Sequence, residues 1–315
     1  MLQRKRSAKV NVKLLIILLV VVAGVGGGLF AARQIRRGVL AERALNAGYA
    51  AYEKQDWKGA VSNWRVYLAR NSDNLDVLRK FGESLMRLRP LEVTTVTGAI
   101  WAYGRILKLD PNDAKAAEEL VGLYGMIENF EEMAKVAKSW MEREPNDVRA
   151  PIWLATALNG SKKYAEARKV LEPYIQRLET LPTRHRQYVE ACRQMADLVA
   201  KEAEAAGRQK PAAGTSAPSQ QDQQQAQADE APPQPTPLDW LNRAVAYEAG
   251  SGEAQIYRAR FYRMRAETLE ASDPNRPLFM ALARQDLESA EKLSSNEVDV
   301  RCALSAEWMF HGELD

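Results

Sequence analysis

Small and large apolar residues return along this chain at i, i+3, i+4 and i+7 with polar positions between them, the spacing that gathers them on one face of a helix. From Ala41 to Asn74 they are Ala44, Ala47, Gly48 and Ala51, with Tyr52 adjacent, followed after a polar break by Ala60 and Trp64. Leu75 to Asp113 repeats the phase with Leu78, Phe81, Gly82 and Leu85, then Ala99 and Tyr103, and closes on Pro111-Asn112-Asp113. Ala114 to Asp147 follows with Ala117, Leu120, Val121 and Tyr124, then Met133 and Ala137, and closes on Pro145-Asn146-Asp147. The next stretch, from Val148, supplies Leu154, Ala155 and Leu158, then Tyr164, Ala167 and Leu171. Each stretch predicts two helices joined by a short turn, with small residues where the helices cross.

The spacing of about 34 residues, with a first helix of the form W-x2-L-G-x2-Y, a second of the form A-x3-F and a proline at the exit, resembles the tetratricopeptide repeat. Ser72 stands where the first unit would carry its proline. The resemblance implies an all-α fold, a right-handed superhelical solenoid of helix-turn-helix units in which each pair buries its apolar face against its neighbours. Units 1–4 occupy 41–182. Further units fill 183–315, with helices at 184–206, 238–248 (Trp240, Leu241, Ala244), 254–265 (Ala259, Tyr262) and 281–293 (Ala283, Leu287, Ala290). A seventh opens near Val298 with Leu304, Ser305 and Trp308 and is incomplete at Asp315. An array's last apolar face needs a cover, so either a longer protein or a covering partner is expected.

Three insertions fall between the first and second helix of a unit, at 89–97, 207–237 and 271–277. The middle one is rich in Gln, Ala and Pro, with almost no large apolar side chain, and is expected to be a disordered linker. Their shared position predicts that they decorate one edge of the array. Pro173 lies inside a predicted second helix, where a proline removes a backbone donor and crowds the preceding turn; a kink or break is expected near Leu171–Pro173.

The N-terminus differs from the rest. A basic tail, 1–13, carries Arg4, Lys5, Arg6, Lys9 and Lys13, and 14–32 is free of charge. At ~1.5 Å per residue that stretch nearly crosses a ~30 Å hydrocarbon layer, which predicts a transmembrane helix; a cleaved signal peptide is the rival, disfavoured by the run's length and the lack of an A-x-A site. Basic residues on both sides bias the orientation only slightly towards a cytoplasmic N-terminus. The resulting expectation is a single-pass protein of a bacterial inner membrane with extracytoplasmic, periplasmic repeats. Gly24 and Gly28 have the spacing of a close helix–helix contact and suggest a homodimer.

Candidate chemistry is sparse. The 315 residues carry 44 Lys and Arg against 41 Asp and Glu, a net charge of +3, without a basic stripe through the repeats, so no nucleic-acid partner is expected. The two histidines, His185 and His311, stand apart from any cysteine or acidic pair with metal spacing. Cys192 and Cys302 read as apolar packing residues on helices. Phosphate-loop, serine-hydrolase and zinc-protease signatures are absent. No catalytic residue, cofactor or metal is expected, and the chain reads as a non-enzyme.

If the resemblance extends to use, the first helices line a concave groove that holds a peptide or helix of another protein. Mapped onto this chain, that lining comprises Tyr49, Tyr52 and Glu53, then Arg79, Lys80, Glu83 and Arg87, and later Ile152, Trp153 and Thr156. The basic groups Arg79, Lys80 and Arg87 suit an acidic segment. The expected function is a membrane-tethered interaction scaffold in a bacterial envelope assembly; the alternative is the docking region of a larger enzyme or secretion component.

Overall fold

The computed structural model of the chain describes residues 36, 38–181, 186–209, 234–247, 252–293 and 298–312. Among them all regular structure is helical. The chain divides into two compact units, Met1–Leu123 and Tyr124–Asp315.

Unit 1 begins with α1 (38–53) and α2 (Trp57–Leu68), continues with α3 (Leu75–Arg87) and α4 (Val93–Leu109), and takes in most of α5 (Ala114–Met126). Local chemistry explains the boundaries. Asp56 accepts from Gly59 N at 2.9 Å and Asn74 from Val77 N at 3.1 Å, so each caps the helix that follows it. Pro90 follows soon after α3 and cannot extend it.

The core of unit 1 is built in the phase of the repeat. Val77, Leu78, Phe81 and Leu85 of α3 are buried, as are Val96, Ala99, Tyr103 and Ile106 of α4. Trp64, wholly buried, lies against Gly48, and Tyr103 lies in the same way against Gly82. Each such aromatic removes a large apolar area from water, worth about 1.5–3 kcal/mol relative to leaving the side chain exposed. Ala47, expected on the apolar face, is exposed.

Unit 2 contains α6 (Phe130–Arg143), α7 (Ala150–Gly160), α8 (Tyr164–Thr180), α9 (Arg186–Gln209), α10 (Pro237–Tyr247), α11 (Gly252–Glu267), α12 (Asn275–Leu293) and α13 (Val298–Gly312). One cluster gathers Leu154, Leu171, Ile175, Tyr188, Met195 and Trp240 among others, and a second joins α11 to α12 and α13 through Ile256, Tyr262, Leu287 and Leu304. Two buried acids reinforce the second. Asp286 accepts two bonds from Arg258, at 2.7 and 2.8 Å, and Glu307 accepts from Arg260 at 2.6 Å and Arg263 at 3.1 Å.

One turn recurs at the same place in three helical pairs. Gln55, Glu128 and Lys162 have φ of 58°, 56° and 60°, each just after a first helix. In each pair the next residue's N–H reaches back five positions: Asp56 to Ala51 O at 2.9 Å, Asn129 to Tyr124 O at 2.9 Å and Lys163 to Leu158 O at 2.8 Å. This is the left-handed helix stop that satisfies the last carbonyls, and it returns the chain for the second helix. The longer α3–α4 connection carries no residue of positive φ.

Several expectations need correction. The helix α8 runs through Pro173 without a break. Pro173 faces solvent, whereas Leu171, Tyr174, Ile175 and Leu178 are buried, so packing of the opposite stripe holds the helix while water can serve the carbonyl that loses its partner. The stretch 14–32, with Gly24 and Gly28, lies outside the described residues. Among the described residues no helix is long and apolar enough to cross a membrane, and the localisation to a bacterial inner membrane is corrected accordingly. Most of 207–237 is also outside the described residues, but its two ends belong to helices: α9 continues to Gln209, and Pro237 opens α10. There Thr236 and Asp239 cap each other reciprocally, Thr236 N donating to Asp239 Oδ2 at 2.7 Å and Asp239 N to Thr236 Oγ1 at 3.3 Å.

Candidate functional site

In unit 1 the first helices α1 and α3 lie side by side and share a polar, aromatic face. Asp76, Lys80, Glu83 and Arg87 fall at i, i+4, i+7 and i+11 of α3, which aligns them as one stripe of alternating charge. Two tyrosines of α1 bind its acids. Tyr49 donates to Asp76 Oδ2 at 2.6 Å and Tyr52 to Glu83 Oε2 at 2.7 Å.

The cations complete the pattern. Lys80 Nζ is 2.5 Å from Asp76 and Arg87 Nη2 is 2.6 Å from Glu83, each an i,i+4 pair. Lys80 also stands 5.3 Å from the centre of the Tyr49 ring, and Arg87 lies 4.7 Å over Trp57, itself edge-on to Tyr52. Exposed ion pairs contribute about 0–1 kcal/mol to stability. The network matters here for its geometry: mutual contacts gather two tyrosines, a tryptophan and four charges on an accessible surface.

Titration follows the contacts. Hydrogen bonds from Lys80 and Tyr49 hold the Asp76 carboxyl below the usual carboxylate range. Burial, with the bond to Asp76, pushes Tyr49 up to about 12, and the bond to Glu83, with burial, raises Tyr52. Both tyrosines therefore keep their protons at neutral pH and act as the donors of this network.

Arg79 has a different role from its neighbours. Its guanidinium bonds Asp113 Oδ2 through Nε at 3.0 Å and Nη2 at 2.6 Å, one repeat further along the chain. Asp113 also caps α5 by accepting from Ala116 N at 2.9 Å. Burial would raise the Asp113 carboxyl, but the Ala116 amide and Arg79 outweigh it and leave it lowered.

Of the residues expected to line a groove, the structure thus brings Tyr49, Tyr52, Lys80, Glu83 and Arg87 into the network on this face, turns Arg79 to Asp113 instead, and leaves Glu53 exposed at the end of α1. Trp153 belongs to unit 2, where Arg149 lies 5.4 Å over its ring. Sequence reasoning missed Asp76, Asp113 and Trp57. The signal for Asp113 was its separation from Arg79 by one repeat; for Asp76 it was the i,i+4 relation to Lys80. Their presence changes the chemistry, because the three basic groups expected to await an acidic ligand already hold carboxylates of the same chain.

Unit 2 contains a cavity of about 430 Å³ between α9 and α11, with Leu241 of α10 among its lining. Arg193, Asp197, Tyr257, Arg260 and Phe261 face into it. Arg193 is held by Glu190 at 2.5 Å and Asp197 at 3.0 Å, and surrounding protein desolvates Asp197 enough to raise its carboxyl, although solvent still reaches it.

The cysteines diverge. Cys192 is buried beside Tyr188, and burial pushes its thiol up to about 12, whereas Cys302 is exposed and does not pack as expected. His185 and the His311 side chain lie outside the described residues. Among the described residues no group of three or more His, Cys, Asp or Glu could hold a metal ion.

No protein-family model matches the chain, and no curated protein matches its sequence. Solved structures do resemble it. The crystal structure of MamA shares 14% identity, covering 75% of this chain and 100% of that one, with a TM-score of 0.44. A tetratricopeptide-repeat protein from Parabacteroides merdae shares 13% identity over 87% of this chain and 85% of that one, TM-score 0.45. Yeast Tom70 shares 14% identity over 79% of this chain and 42% of its own, TM-score 0.44.

Proposed function

We propose that the chain is a tetratricopeptide-repeat scaffold that binds other proteins, and that the α1–α3 face of unit 1 receives a segment of the partner. The observation that carries this reading is the network of Tyr49, Tyr52, Asp76, Lys80, Glu83 and Arg87, whose polar atoms are fixed by one another yet open to solvent. A surface ordered before binding loses little conformational entropy on binding. Its alternating charges select against a uniformly acidic segment, since each new carboxylate must compete with Asp76 or Glu83. An extended segment of mixed charge suits it better, with backbone amides donating to the acids and carbonyls accepting from Lys80 and Arg87.

Site-specific photo-crosslinking in cells tests the assignment. A photoreactive residue at Glu53 or Tyr52 is expected to form protein adducts, and one at the exposed Lys138 of α6 is not. Lys80→Glu combined with Arg87→Glu should abolish the Glu53 adducts. Equal yields from positions 53 and 138, or adducts indifferent to the double charge reversal, would remove this face as the binding site.

A further inference from the structure

A second concavity of unit 1 opens where α2 and α4, the second helices of its two pairs, meet α3. It encloses about 260 Å³ and is lined by Arg65, Leu68, Ala69, Phe81, Gly98 and Trp101. Cavities for whole small molecules usually reach ~300–1,000 Å³, so this one has the capacity of one or two side chains.

Its construction is specific. Leu68 and Phe81, both nearly wholly buried, close the inner side, and Trp101, 46% exposed, stands as a wall with its ring edge-on to Phe81 at 6.3 Å. Ala69 and Gly98 are too small to fill the space. Gly98 also lets α4 approach α3 closely, since a Cβ there would lie 3.1 Å from Leu85 Cδ1. Arg65 contributes the charge of the lining, and among the described residues it holds no ion pair. This contrasts with Arg79, Lys80 and Arg87 on the α1–α3 face, all of which are paired. A half-exposed indole beside an empty apolar recess and a guanidinium with no ion pair among the described residues combines two of the residue types enriched at binding hot spots.

We propose that this pocket docks a partner polypeptide that inserts one aromatic or large aliphatic side chain against Trp101 and Phe81 and sets a neighbouring Asp or Glu carboxylate on Arg65. The site is separate from the α1–α3 face and stands or falls independently of it. The apolar recess selects the anchor, and the free cation selects an acidic flank over a basic one.

Fluorescence anisotropy with the full-length chain tests this, using labelled peptides Gly-Ser-Asp-Phe-Glu-Ser-Gly, Gly-Ser-Lys-Phe-Lys-Ser-Gly and Gly-Ser-Asp-Ser-Glu-Ser-Gly. The first is expected to bind at least tenfold more tightly than either of the others. Arg65→Glu should weaken it tenfold or more. Ala69→Phe, at an exposed position where added bulk blocks the mouth, should abolish binding while leaving the circular dichroism melt unchanged. Equal affinity for acid- and base-flanked peptides, or undiminished binding to Ala69→Phe, overturns the proposal. So does a concentration-dependent dimer that Ala69→Phe abolishes in the absence of peptide binding, which would assign the pocket to a second copy of the chain.

Discussion

The indole of Trp64 covers Gly48 so closely that a Cβ on the glycine would come within 2.3 Å of Trp64 Nε1. One repeat on, Gly82 and Tyr103 stand in the same relation, with a Cβ at Gly82 only 2.9 Å from the ring. Gly48→Ala would gain ~0.5–1 kcal/mol of helix propensity but force overpacking worth ~1–3 kcal/mol. Urea unfolding should therefore show a net loss of about 1–2 kcal/mol. Trp64→Phe in the same background should recover part of it by shrinking the ring. A Gly48→Ala variant as stable as the parent would contradict the close contact.

The three left-handed residues at the helix stops predict the opposite sign. A side chain at positive φ costs roughly 1–2 kcal/mol, and a glycine relieves that cost at the price of greater freedom in the unfolded chain. Gln55→Gly, Glu128→Gly and Lys162→Gly should each raise stability by about 0.5–1 kcal/mol, measured as higher melting temperatures. Substitution by valine at the same positions should lower them.

Asp113 joins a helix cap to a cross-repeat ion pair, so its removal should be felt more than that of Arg79. Asp113→Ala is expected to cost about 1–2 kcal/mol, mostly through the cap. Arg79→Ala should cost no more than about 1 kcal/mol, because Arg79 is half exposed and its pair is screened. The folded-state pKa of Asp113 is lowered, so its contribution is present above the unfolded value of about 3.9 and is lost as pH falls through the folded value. Stability measured from pH 6 downwards should drop below about pH 4, and Asp113→Asn should blunt that drop.

The two thiols should separate cleanly in a labelling experiment. Iodoacetamide at pH 8 is expected to modify the exposed Cys302 within minutes and to leave Cys192 untouched until the protein is unfolded, as read by peptide mass spectrometry. Burial both excludes the reagent from Cys192 and keeps its thiol protonated. Comparable rates at the two sites would place Cys192 near the surface.

Much of the helical framework was legible because its cause is local. The phased positions Ala60, Trp64, Leu78, Phe81, Leu85, Ala99 and Tyr103 are all buried, and a 3.6-residue period depends only on which residues follow one another. Pro173 shows the limit of local reasoning. Its intrinsic effect is to break a helix, but four buried neighbours on the other face outweigh it.

The candidate face was half legible. Tyr49, Tyr52, Lys80, Glu83 and Arg87 could be chosen from their place in the repeat, since equivalent positions on successive first helices become neighbours. The i,i+4 spacing of Asp76 to Lys80 and of Glu83 to Arg87 was also readable, but the chain order could not supply the partner of Arg79. Whether Arg79 awaits a ligand or holds α5 depends on where Asp113 sits after packing, and the pocket at Trp101 exists only because Ala69 and Gly98, distant in sequence, leave the same space empty.

The sequence by itself determined that the chain folds as helical pairs with small residues facing large ones, because periodicity, capping and turn chemistry act over a few residues. The tertiary structure alone decided that Arg79 is taken up by Asp113 one repeat away, while among the described residues Arg65 beside Trp101 holds no ion pair. Ion pairing is a contest between acceptors brought together by packing, and its outcome depends on ångström distances that composition and spacing do not contain.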